Sequence, residues 1–247
     1  LNNKILKNAM DGVLQMLYPR RCPVCDCVLT ETSFKEIVPR VCPECENKLV
    51  YVGKNHCFKC GKTLKSDQEE LCYDCKNREH FFEQGYALFE YASINASIYR
   101  FKYKGRCEYA DFYGKEMEEH LGTLIREWNA QALVPVPMHR RKERIRGYNQ
   151  ARCLAEGIAK YTKIPVYHSL VERTRKTTPM KELDVRERQN NLKKAFHIMQ
   201  DDVKLKKIVI VDDIYTTGST VDAIAKELKN AGVQEVFFLA LAIGTGL

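Results

Sequence analysis

Two adjacent acids, Asp212 and Asp213, close the apolar run Lys207-Ile-Val-Ile-Val and stand two residues before Thr216-Thr217-Gly218-Ser219-Thr220. Small hydroxyl residues and a glycine at the start of a helix suit a phosphate. The first N–H groups of a helix have no partner in the helix, and the helix dipole favours an anion there. Carboxylates beside such a cradle suit sugar hydroxyls rather than the phosphate. Together the residues describe a site for a 5′-phosphorylated ribose.

A second chemistry lies in the cysteines. Nine of the eleven fall between Cys22 and Cys75. Eight of them form four C-x-x-C pairs: Cys22/Cys25, Cys42/Cys45, Cys57/Cys60 and Cys72/Cys75. Each pair offers two thiolates to one tetrahedral ion, and two pairs complete a closed four-thiolate shell of the structural zinc type. The spacing predicts two Zn2+ ions. The sequential partition, first pair with second and third with fourth, is the simpler. A cross-brace fits the same spacing. His56 and His80 are minor candidates as ligands. Cys107 and Cys153 lie outside the cluster and read as core or chance thiols. No clean apolar export signal is seen in 1–18, and a reducing cytoplasmic setting argues against a disulfide scaffold. No apolar run reaches the ~18 residues of a membrane span.

The net charge of +8 is also localised. Residues 139–194 carry 16 Lys+Arg against 6 Asp+Glu, a local +10. Such a stretch attracts polyanions, either nucleic acid or a phosphorylated small molecule. Its dense runs are 139–146 and 173–176, the latter continuing to Arg186, Arg188, Lys193 and Lys194. His139 reads as a charge-balancing or solvent residue, and no residue stands out as a general base.

The elements that must hold these residues can be read from periodicity. A chain of 247 residues accommodates one large domain or two small ones. An apolar helical stripe covers 4–17 and stops at Pro19. A strand near 86–91 precedes helices over about 94–105 and 108–128. A short strand, 132–137, leads into the basic run, which continues through Gly147 to a helix at 149–161. Residues 166–171 suggest a strand, and 174–191 a long loop. The C-terminal part is the clearest: strand 207–213, helix 220–231 with Val221, Ile224, Ala225 and Leu228 on one face, then strand 235–242. This is a βαβ unit of a parallel sheet. The expected organisation is an N-terminal helix and metal module at 1–80, then an α/β domain at 81–247. Trp128, Tyr148 and Phe101 read as core, with base-stacking an alternative for Tyr148.

The segment Asp212-Asp213-Ile-Tyr-Thr216-Thr217-Gly218-Ser219-Thr220 resembles the signature of type I phosphoribosyltransferases. The resemblance implies a parallel sheet flanked by helices, preceded here by the small four-cysteine zinc-ribbon module. It also implies binding of phosphoribosyl pyrophosphate (PRPP) with Mg2+. Asp212 and Asp213 would hold the ribose hydroxyls, and residues 216–220 the 5′-phosphate. The basic run after 133–137 takes the position of the pyrophosphate loop, with Arg140, Arg141, Arg144 and Arg146 as its contacts. Arg173 and Arg175 would close from a mobile loop, as would Lys176 and Arg188.

The resemblance narrows further. Four C-x-x-C pairs, P-V-P before a basic run, R-G-Y-N-Q (146–150), R-x-R-x-T (173–177), and Arg188, Asn191, Ala195 and Phe196 in order are similar to the ComF/ComFC family. That family is linked to natural competence, with a ComFA-type helicase as partner. One departure is visible: Met180 stands where the family pattern has Gln. Two readings follow. The first is a PRPP-dependent transferase of unknown acceptor. The second is a non-catalytic adaptor that binds PRPP or single-stranded DNA and docks the ComFA-type ATPase.

Overall fold

The computed structural model describes residues 19–29, 40–173, 195–199 and 204–244. The chain divides into two compact units, Leu1–Leu49 and Val50–Leu247. The expected helix at 4–17 and the loop at 174–191 lie outside the described residues, as does Arg175.

In the first unit, Arg21 and Val28 bridge across the turn that carries Cys22 and Cys25. Cys42 is the N-cap residue of α1 (Pro43–Glu46), which carries Cys45. The second unit repeats the design. His56 and Thr63 bridge across the turn of Cys57 and Cys60. Cys72 is the N-cap residue of α2 (Tyr73–Asn77), which carries Cys75. The residue after each first knuckle has positive φ: Asp26 at 69° and Gly61 at 74°. That backbone turn lets both thiols of a pair face one point.

The second unit is built on a four-stranded sheet. Its strands are β1 (Gln84–Glu90), β2 (Ala132–Pro135), β5 (Lys207–Tyr215) and β6 (Glu235–Ile243). They lie in the order β1-β6-β5-β2, and every pairing is parallel. Ile208 to Val211 have no exposed surface, which is why they form an unbroken apolar run rather than an alternating one. The outer edge of β1 is covered by the segment before the second cysteine cluster: Val52 N–H donates to Leu88 O, and Glu90 N–H to Val50 O. Covering an edge removes a template for pairing with other chains.

The described helices of this unit beyond α2 are α3 (Tyr91–Tyr103), α4 (Tyr109–Trp128), α5 (Arg140–Arg146), α6 (Gln150–Thr162) and α7 (Ser219–Asn230). A separate antiparallel pair joins β3 (Val171–Arg173) and β4 (Phe196–Ile198). Two expectations change here. Residues 166–171 are not a strand. Val166 makes only an isolated bridge to Leu133, and pairing begins at Val171. The basic run is a two-turn helix rather than a loop, because the His139 side chain accepts from Arg141 N–H and Gly147 ends it at φ 88°.

Helices α4 and α6 meet backbone to backbone. A Cβ on Gly157 would lie 2.1 Å from the Ala110 carbonyl oxygen, and one on Gly114 would lie 2.1 Å from that of Gly157. This approach sets Cys107 and Cys153 with Cα atoms 6.1 Å apart and joined as a disulfide. The reading of these two as core or chance thiols is thus corrected. The cause is a helix crossing permitted by two glycines, which spacing along the chain does not reveal. The same crossing makes Gly157→Ala a clear test. Helix propensity alone would stabilise it by about 1 kcal/mol. Overpacking against a backbone carbonyl costs about 3 kcal/mol and wins. Urea denaturation should show a net loss of about 2 kcal/mol; an unchanged or higher midpoint would reject the packing.

Candidate functional site

Asp212 and Asp213 emerge at the carboxyl end of β5, where ligands bind in open parallel sheets. Burial first, and the charge of Asp213 second, push the Asp212 carboxyl up to about 7. Asp213 N–H donates to Asp212 Oδ1 at 2.8 Å, while Lys102 and Arg173 draw the other way. Asp213 is buried and held from two sides. Lys102 Nζ lies 2.9 Å from its Oδ1, and Gln150 Nε2 donates to its Oδ2 at 2.7 Å.

The loop at 216–218 turns the chain from β5 into α7. Gly218 has φ 73°, and a Cβ there would come within 2.6 Å of the Tyr215 hydroxyl. The Tyr215 ring is itself fixed, stacked on Phe238 at 4.4 Å. Only glycine fits this position, for its conformation and for its space. The Thr217 and Ser219 hydroxyls lie 2.9 Å apart, and residues 214–221 with Asp212 line a small cleft. Thr216, Thr217, Gly218, Ser219 and Thr220 are therefore brought together beside Asp212.

The motif R-G-Y-N-Q receives a role at every residue. Arg146 donates to Gln150 Oε1 and lies over the Tyr103 ring at 4.7 Å. Gly147 ends α5. Tyr148 donates to the Phe101 carbonyl. Asn149 caps α6 by accepting from Ala151 N–H at 3.0 Å and donates to the Val136 carbonyl at 3.0 Å. Gln150 reaches Asp213. The arginines of the basic run separate. Arg146 is chained to the acids through Gln150. Arg140 turns to Glu172 at 3.2 Å, and Arg141 and Arg144 are exposed. Arg173 is half-buried, with its cation over the Phe196 ring, and burial lowers its pKa.

Sequence reasoning missed Lys102. It is one cation in a helix that also carries Arg100, with Lys104 just beyond, and no spacing singles it out. His80, weighed there as a metal ligand, instead places Nδ1 2.7 Å from Asp222. His56 faces the Tyr86 hydroxyl and the Gly53 carbonyl.

The cysteines form two clusters, Cys22/Cys25/Cys42/Cys45 and Cys57/Cys60/Cys72/Cys75. This is the sequential partition; the cross-brace is not formed. Within each cluster the sulfur atoms lie within 4.8 Å of one another, with Cys25–Cys42 and Cys60–Cys72 at 3.6 Å. A tetrahedral ion with ~2.3 Å bonds to sulfur requires edges of about 3.8 Å. The clusters therefore fit two structural zinc ions. Cys57 and Cys60 have no exposed surface and belong to the same apolar core as Phe82, Phe238 and Ile210.

No described helix is long and apolar enough to cross a membrane. Residues 13–76 match the double zinc ribbon domain family, and residues 153–244 match the phosphoribosyl transferase domain family. Competence protein F of Haemophilus influenzae is 27% identical over 197 residues, covering 76% of this chain and 84% of that protein. DNA utilization protein YhgH of Escherichia coli K12 is 29% identical over 201 residues, covering 79% and 87%. Competence protein ComFC of Bacillus subtilis is 24% identical over 232 residues, covering 83% and 89%. With the ribbon, the sheet domain and relatives that follow it along most of its length, the chain is similar throughout to proteins named competence protein F, ComFC and YhgH.

Proposed function

We propose that the protein binds Mg2+–PRPP and is a phosphoribosyltransferase serving DNA uptake in competence. The observation that carries this reading is the joined pair of sites at the end of β5. Two carboxylates stand beside a hydroxyl-rich turn into a helix N-terminus, with Lys102 and Gln150 fixing Asp213. Asp212 and Asp213 would take the ribose 2′- and 3′-hydroxyls, and residues 216–220 the 5′-phosphate. Mg2+, which keeps water and phosphate oxygens as ligands, suits the carboxylates and the pyrophosphate and would supply positive charge to the departing group. Arg146, through Gln150, and Arg173, through its attraction to Asp212, are the arginines tied to the acids and would face that group. Fixed cations there stabilise developing charge. Arg140, Arg141 and Arg144 would complete the pool of pyrophosphate contacts, and Arg175 would close from the mobile loop.

Calorimetric titration of Mg2+–PRPP tests the site: saturable one-to-one binding is expected, and no heat at millimolar ligand would sink it. The placement in competence follows the names of the relatives, which speak of competence and of DNA utilization.

A second reading, a PRPP- or single-stranded-DNA-binding adaptor for a ComFA-type helicase, has its own observation. Tyr99 and Tyr103 are exposed, 5.2 Å apart, with Arg146 over Tyr103. Aromatic rings among cations suit stacked bases. Turnover of PRPP with a set of nucleobases, against oligonucleotide affinity and its salt slope, separates the two.

A further inference from the structure

A short segment connects the second cysteine cluster to the phosphate turn. Cys75 lies in α2, and the chain then runs through Arg78 and His80 to Phe81 before entering β1. These last three residues converge on Asp222 in the first turn of α7. Arg78 Nη2 is 3.5 Å from Asp222 Oδ2, and His80 Nδ1 is 2.7 Å from the same oxygen. Phe81 N–H donates to Asp222 Oδ1 at 3.0 Å. The His80 side chain is 1% exposed and Asp222 8%. His80 is further fixed by stacking on Phe82 at 4.6 Å. Arg78 has a second bond: Nη1 donates to the Thr217 carbonyl at 3.3 Å.

That last contact has a geometric consequence. Across a trans peptide the C=O and N–H point in opposite directions. Holding the Thr217 carbonyl toward Arg78 therefore turns the Gly218 N–H away from it and fixes that peptide plane. Gly218, at φ 73°, is the residue most free to flip. Arg78 also neutralises Asp222. Without it, the Asp222 carboxylate would keep only His80 and the Phe81 N–H as partners beside the place where a phosphate is to sit, and like charges there oppose binding.

We propose that Arg78 is a positioning residue for the phosphate cradle, locking the Thr217–Gly218 peptide and masking Asp222, so that the second metal cluster is structurally tied to the 216–220 turn. The proposal rests on the reading of that turn as a 5′-phosphate site. His80 and the Phe81 N–H hold the strut in place from the other side of Asp222.

Amide hydrogen exchange on the ligand-free protein tests the strut without any ligand. In Arg78→Ala, residues 217–222 should exchange about tenfold faster, the effect of one lost charge-assisted bond, while 208–211 are unchanged. Equal exchange at 217–222 would overturn the proposal. Two probes then locate the effect. Ribose 5-phosphate should bind Arg78→Ala about tenfold more weakly, with Mg2+–pyrophosphate within about twofold of the wild type. Equal weakening of both would mean general damage and overturn the role. Arg78→Ala/Asp222→Asn should regain part of the ribose 5-phosphate affinity, because the unmasked charge is gone; no recovery would remove the masking half of the argument. A wild type that binds neither probe would refute the phosphate site itself, and the exchange result would still decide whether the strut orders the turn.

Discussion

Asp212→Asn is expected to lower Mg2+–PRPP affinity at pH 8 by about 100-fold, the loss of charge-assisted bonds to a pair of hydroxyls. The same variant should be more thermostable than the wild type. The reason for both lies in the pair. Asp212 is desolvated and adjacent to Asp213, so its carboxyl holds a proton up to about 7, whereas an unfolded chain releases it near 3.9. Between those values the folded state binds more protons than the unfolded one, and stability falls as pH rises through the window. Asparagine keeps the shape and removes the charge. Its advantage in melting temperature should be large at pH 8 and vanish near pH 4. In the wild type, affinity should rise from pH 6 to 8 as Asp212 ionises. Such a trade of stability for binding is common where like charges are gathered for a ligand. Wild-type heats in the variant at pH 8, or a melting difference independent of pH, would refute the assignment.

The second large effect separates the two cysteine clusters. Cys60→Ser should unfold the sheet unit at growth temperature, whereas Cys25→Ser should leave its melting transition within a few degrees of the wild type. Cys60 has no exposed surface and shares a core with Phe82 and Phe238; Cys25 is exposed and belongs to the other compact unit. Structural zinc contributes about 10–16 kcal/mol in small ribbons, comparable to or above the net ~5–15 kcal/mol of a whole domain. Losing a ligand inside the sheet core therefore removes most of what holds it. Scanning calorimetry with metal analysis checks this: each variant should retain one zinc per chain. A Cys60→Ser protein that melts like the wild type would show that the second cluster is an appendage rather than part of the core.

Much of this was legible along the chain, because the signals were local. The apolar run before Asp212, the turn at 216–220 and the 3.6-residue stripe of α7 lie within one continuous segment, and neighbouring residues impose the strand, the turn and the helix. Four C-x-x-C pairs likewise announce two closed metal shells. What could not be read were contacts between residues far apart. Lys102 reaches Asp213 from α3, Gln150 reaches it from the start of α6, and Arg78 with His80 reaches Asp222 in α7. The partition of the cysteines was also undecided by spacing, because both arrangements satisfy the same chain lengths.

The sequence by itself therefore determined the inventory: two tetrahedral thiolate sets, a strand ending in two acids, a helix-start cradle and a basic stretch. Tertiary structure decided which members meet. It tied Arg146 and Arg173, rather than Arg141 and Arg144, to the acids, joined Cys107 to Cys153, and built Cys57 and Cys60 into the sheet core. The physical reason is the same in each case. Side-chain type and spacing fix local conformation and chemistry, whereas a pairing across the chain depends on which surfaces pack. Here that packing was set by features silent in periodicity, such as the approach of Gly114 to Gly157 and the burial of a cysteine turn against β1.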